Sequence, residues 1–124
     1  MLAFFRPVPV YVKVYPNAIS ITNLLTGETV HRTAPEPFSN SHLVLANFGI
    51  AEKLGREMIK ELRLSRRSLK TMVQQMKVYE EVLSEVEKRI LRDLCEQIGS
   101  RAVFIITNDK ELSNEEVLKV LKEN

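Results

Sequence analysis

A mixed five-stranded sheet with three helices, in the order β-β-β-α-β-α-β-α, is the α/β fold that this chain of 124 residues predicts. Three observations carry the expectation. The opening segment alternates apolar and polar residues and is punctuated by turns, as an antiparallel meander requires. Ser84-Glu85-Val86-Glu87 and Ser113-Asn114-Glu115-Glu116 are capping boxes, each opening a helix. Between them, Ala102-Val103-Phe104-Ile105-Ile106 is a short continuous apolar run, the pattern of a strand covered on both faces. Strands followed by helices in this alternation make an α/β domain.

Taken in order, residues 1–7 form an N-terminal extension and residues 8–124 a single domain. Val8, Val10, Val12 and Val14 alternate with Pro9, Tyr11, Lys13 and Tyr15, which predicts a strand with one buried face. Tyr15-Pro16-Asn17 is turn chemistry, because proline fixes its φ and asparagine tolerates the left-handed region. Ile19, Ile21 and Asn23 mark one face of a second strand. Leu25-Thr26-Gly27-Glu28 turns into a third strand of about five residues, from Thr29 to Thr33. A polar connection with Pro35 and Pro37 leads to Asn47, which caps a helix with Ile50, Leu54, Met58 and Leu62 along its apolar face.

Residues 69–98 admit two readings. Leu69, Met72, Met76, Tyr79, Leu83, Val86, Ile90 and Leu94 fall at helical steps of three and four. Ser84 and Glu87, however, would be wasted as a capping box inside one long helix. The box favours a strand over about 69–78, a loop, and a helix over 85–98. Gly99 then ends that helix as its left-handed residue. The Ser113–Glu116 box starts a last helix with Val117, Val120 and Leu121 inward.

Composition sets limits on function. The chain is 44% hydrophobic and 27% charged, ordinary for a globular domain. Its net charge of 18 − 16 = +2 is too small to imply nucleic-acid binding. One cysteine, Cys95, forms no intrachain disulfide and fits a reducing compartment. No apolar run approaches the roughly 20 residues of a membrane-spanning helix, and the N-terminus lacks the pattern of a signal peptide. The cytoplasm is the expected location.

Leu45-Ala46-Asn47-Phe48-Gly49-Ile50-Ala51-Glu52-Lys53, Ser84-Glu85-Val86-Glu87-Lys88-Arg89 and Gly99-Ser100-Arg101-Ala102-Val103-Phe104-Ile105-Ile106 occur in one order and at one spacing. In both, the chain resembles the first subdomain of the MreB family of bacterial actins. Met1-Leu2 and Phe5-Arg6 are similar to the amphipathic N-terminal membrane anchor of some members. The resemblance implies a ribonuclease-H-like (actin-like) fold and covers about the first third of a complete family member. It does not carry over the nucleotide chemistry. Where the family has Asp-x-Gly-Thr in its first hairpin, this chain has Lys13-Val14-Tyr15-Pro16. An acid that would serve magnesium is a base here, and proline has removed an amide from a cradle that needs small residues and free N–H groups. Thr107-Asn108-Asp109 stands in place of the family's Glu-Glu-Pro. ATP hydrolysis by positioned metal and water is therefore not expected.

Glu87 matches the region where the family positions its hydrolytic water, yet its capping role explains it fully. A two-metal nuclease needs converging carboxylates, and Lys13, Asn23 and Gln75 occupy the relevant strand positions. His31 and His42 lack a supporting acidic or cysteine ligand, so no metal or other cofactor is expected. Lys60, Arg63, Arg66, Arg67 and Lys70 crowd into residues 60–70 against one acid, Glu61. They suit a solvated helix end or, as a functional reading, an acidic partner, a membrane surface or RNA. Aromatic side chains for stacking bases are missing from the cluster, which disfavours nucleic acid. Phe4, Phe5 and Arg6 suggest contact with a partner or with the periphery of the inner membrane.

The expected function is thus non-enzymatic: a degenerate MreB-like subdomain that binds a protein in the cytoplasm. The partner would be a bacterial actin filament with a role in cell shape, or a second copy pairing at the Thr29–Thr33 edge. The alternative is a regulatory module that holds an anion or nucleotide through Lys13 and Asn17 of the first hairpin. RNA binding through residues 60–70 is a weaker alternative.

Overall fold

The computed structural model describes residues 6–124. Its elements are β1 (Val8–Tyr15), β2 (Ala18–Asn23), β3 (Thr29–Thr33), α1 (Phe48–Glu61), β4 (Leu69–Gln75), α2 (Glu85–Gln97), β5 (Ser100–Ile106) and α3 (Asn114–Glu123). The strands form one sheet in the order β3-β2-β1-β4-β5. β1, β2 and β3 pair antiparallel, and β4 and β5 join them in parallel. The order of elements and the mixed sheet are those the sequence predicts.

β1 is central, and its two faces carry different cores. Val8, Val10, Val12 and Val14 point with Ile19, Ile21, Leu69 and Val73 into a large core roofed by α1 and α2. Leu91, Leu94 and Cys95 of α2 are fully enclosed there, and burying a leucine contributes about 1.5–3 kcal/mol. The alternation predicts an open opposite face, yet Tyr11 is also completely buried. α3 crosses that side and packs Val117 and Leu121 against Tyr11, Leu24 and Met72. The alternation in β1 therefore marks a large core and a small one.

Residues 69–98 resolve into strand, loop and helix. β4 runs for seven residues, and Ser84 caps α2 with both hydrogen bonds of the box in place. Gly99 follows with φ +116°, a conformation glycine adopts without strain. α1 starts after Asn47 as expected, but the Asn47 side chain makes no capping bond. Its buried stripe runs through Ala51, Leu54, Gly55, Met58 and Ile59. Ile50 lies at the rim of that stripe. At Gly55 a Cβ would meet Ile98 Cγ2 at 3.0 Å, so the glycine sets how closely α1 approaches the end of α2.

β5 is covered on both faces, Val103 and Ile105 against the large core and Phe104 and Ile106 against the small one, but it is not an inner strand. It is the last strand of the sheet, and its apolar residues are half-buried throughout. One expectation needs correction: Val120 does not point inward with Val117 and Leu121; it is 37% exposed at the flank of α3. Among the described residues, no helix is long and apolar enough to cross a membrane.

Candidate functional site

In open α/β sheets, ligands bind at the carboxyl ends of the parallel strands. That end of this sheet is filled by its own side chains. Tyr11 Oη donates to Gln74 Oε1, and the Leu112 amide donates to Tyr11 Oη at 3.3 Å. Gln74 Nε2 donates to the carbonyls of Asn108 at 3.0 Å and Lys110 at 2.7 Å. The network holds the segment between β5 and α3 down across β1 and β4. Burial pushes the Tyr11 hydroxyl above its ordinary value, with the Leu112 amide pulling the other way. Gln75, on the other face, donates to Lys77 O at 2.8 Å and to Glu87 Oε2 at 3.2 Å.

Glu87 is occupied on both oxygens. Its Oε1 accepts from the Ser84 amide at 3.0 Å while its own amide donates to Ser84 Oγ at 3.2 Å. Burial alone would raise its carboxyl. Hydrogen bonds from the Ser84 backbone, Gln75 and Ser84 Oγ more than offset this and hold it below the ordinary value. Ser113 and Glu116 repeat the cap at α3 with bonds of 3.0 and 3.1 Å. Glu116 is lowered, by the Ser113 backbone bond first.

Lys13 sits on the Tyr11 side of the sheet, and its ammonium pairs with Glu111 at 3.0 Å. Asn23 and Gln75 lie on the opposite face. The three strand positions at which a nuclease would need carboxylates therefore do not converge. Asn17 holds a turn at φ 60°. Its Oδ1 accepts from the amides of Phe38 at 2.9 Å and Ser39 at 2.8 Å, so it ties the proline-rich connection to the first hairpin. Phe4 and Phe5 lie outside the described residues. The Arg6 carbonyl accepts from Arg67 Nη2 at 3.2 Å.

One member of the basic cluster, Lys70, turns away toward α3. Lys60 is exposed in the last turn of α1. Arg63 follows in the left-handed conformation at φ 60°, with its amide and that of Leu64 bonded to Lys60 and Ile59 carbonyls, both at 3.0 Å. This is a Schellman stop with arginine in the position glycine usually takes, a signal that residue type alone concealed. Arg66 is exposed in the following turn. Lys70 lies in β4, where its ammonium reaches the Leu121 carbonyl of α3 and stands 5.9 Å from the Phe104 ring centre. Among the described residues, no group of three or more His, Cys, Asp or Glu is placed to hold a metal ion.

The surface that residue reading passed over is the free edge of β5. A groove of about 560 Å³ follows it, with the strand as its floor. Lys88 and Arg92 of α2 form one wall. Leu112 and Val120, from α3 and the loop before it, form the other, on the side to which Phe104 and Ile106 belong. Among the described residues, no hydrogen bond from another backbone segment reaches the outer side of residues 102–106. A bulge where β5 begins skips Arg101, so the pairing with β4 jumps from Ser100 to Ala102. Bulges are frequent at sheet edges.

No protein-family model matches the chain. It is similar to the uncharacterized protein YjaA of Escherichia coli strain K12, with 27% identity over 124 residues, spanning 91% of this chain and 96% of that protein.

Proposed function

We propose that the chain is a non-catalytic protein-interaction module of ribonuclease-H-like, actin-type fold that receives its partner along the free edge of β5. The observation that carries this reading is an apolar edge strand left half-buried between two helical walls. Unpaired edges invite another strand, and monomeric proteins usually blunt them with charge, proline or a covering element. The order β-β-β-α-β-α-β-α supports the actin-type fold, as does the helix start at Ser84–Glu87. A filament-forming bacterial actin in the cytoplasm is the partner that the resemblance implies.

Two alternatives lose support. An anion at the first hairpin would have to compete with Glu111 for Lys13 and with two backbone amides for Asn17. RNA would meet a basic segment without Lys70, which is turned toward α3.

Affinity capture from the native cytoplasm tests the reading, with the wild type and a Phe104→Lys variant whose folding is checked by circular dichroism. Arg92→Glu, on the exposed wall, serves as a second variant. A partner held by the wild type and reduced at least fivefold by either folded variant is the expected result. Equal recovery by all three moves the interaction off this edge, and recovery of no partner rejects the module.

A further inference from the structure

The two walls of the β5 groove differ in chemistry, and a strand presents alternate side chains to opposite walls. From this we infer that the partner segment is an extended strand, acidic on one face and apolar on the other, added in line to β5. The inference rests on the edge reading above and specifies its ligand.

The groove lies beyond the last strand, so a segment placed there continues the sheet and satisfies the outward N–H and C=O groups of β5. Strand addition of this kind draws affinity from the main chain and specificity from alternate side chains. β5 has seven residues, so a partner of similar length spans it. Side chains turned toward α2 meet Lys88 and Arg92, the two charged residues of the groove, and both are cations. Lys88 is shared with Glu85 at 3.2 Å, but the Glu85 side chain is 90% exposed and such pairs bind weakly. Arg92 takes part in none of the ion pairs among the described residues. Side chains turned toward α3 meet Phe104, Ile106, Leu112 and Val120 instead.

The same charges argue against a second copy. Two β5 strands pairing antiparallel across a two-fold axis normal to the sheet would bring α2 beside its symmetry mate. Lys88 and Arg92 would then face identical cations, a juxtaposition that suppresses association. An acidic face on the incoming strand removes that repulsion.

The test uses three capped, fluorescein-labelled octapeptides that alternate valine with glutamate, serine or lysine. Affinity is read by anisotropy and location by backbone amide shifts in residues 102–107. The Val/Glu peptide is expected to shift those amides and bind at least tenfold more tightly than Val/Lys, with affinity falling as salt rises. A Lys88→Glu, Arg92→Glu double variant should reverse the preference; the single variants report separately if the double one fails to fold. Equal binding of Val/Ser and Val/Glu overturns the acidic face and leaves the edge reading standing. No shift in residues 102–107 with any peptide overturns strand addition, while a partner captured through Phe104 would still support the module. Dimerisation of the chain alone, with loss of peptide binding as its concentration is raised into the dimer range, assigns the edge to a second copy and overturns the inference.

Discussion

β3 and β5 each lack a neighbour on one side, and they meet solvent in opposite ways. β3 is short, with Thr29, His31, Arg32 and Thr33 exposed and only Val30 buried. Arg32 reaches across to Glu61 of α1. That is an edge defended by polarity, and it gives the Thr29–Thr33 homodimer little apolar surface to bury. β5 is longer and apolar, and it is sheltered from the sides by α2 and α3 rather than capped. Two solutions to one liability thus sit in one sheet. One discourages a partner, and the other leaves room for one.

If β5 depends on its walls, the largest loss should come from α2. Leu94→Ala is expected to cost about 2–5 kcal/mol, because Leu94 is 1% exposed in the core that seats the helix. Chemical denaturation followed by circular dichroism measures it, and a loss below about 1 kcal/mol would mean that α2 does not hold its side of the sheet.

A smaller change sharpens the same point through pH. The folded Glu87 carboxyl lies below its ordinary value of 4.5. Its contribution is therefore complete above that value and disappears as pH falls through the lower folded value. Glu87→Gln should cost about 0.5–1 kcal/mol near neutrality, on the scale of a helix cap. The gap from the wild type should close on acidification. A gap that widens in acid would contradict the assignment.

The smallest effect belongs to β3. Arg32→Ala should change stability by less than about 1 kcal/mol, since the pair is exposed, with side chains 50% and 41% accessible. The difference should fade in high salt, and a salt-independent loss would show that β3 relies on more than polarity.

Much of the architecture was legible because local chemistry agreed with the fold. The capping boxes at Ser84 and Ser113, the turn at Asn17 and the stop at Gly99 each act within a few residues, and each lies where its sequence places it. What escaped depends on neighbours distant in the chain. Tyr11 reads as a solvent-facing residue until α3 folds over it. Residues 102–106 have the composition of an inner strand, and only the sheet order makes them an edge. Residues 60–70 look like one basic patch, yet a chain reversal at Arg63 and entry into β4 turn Lys70 to another side. The candidate surface was invisible for the same reason. It is formed by α2, β5 and the approach to α3, and no motif spans the three.

The pairing of β1 with β4 also has a consequence in time. Tyr11 and Gln74 meet across 63 residues of chain, and β1 has no second neighbour until β4 has been made. At roughly 5–20 residues per second of synthesis, β1 waits about 3–13 s from the making of Tyr11 to that of Gln74, with its inner edge unpaired and its valines uncovered. The strand at the centre of the finished sheet is therefore the one left longest with an unpaired side on the ribosome. A chaperone acting on this chain would find its binding site in β1, and arrival of β4 would end the encounter.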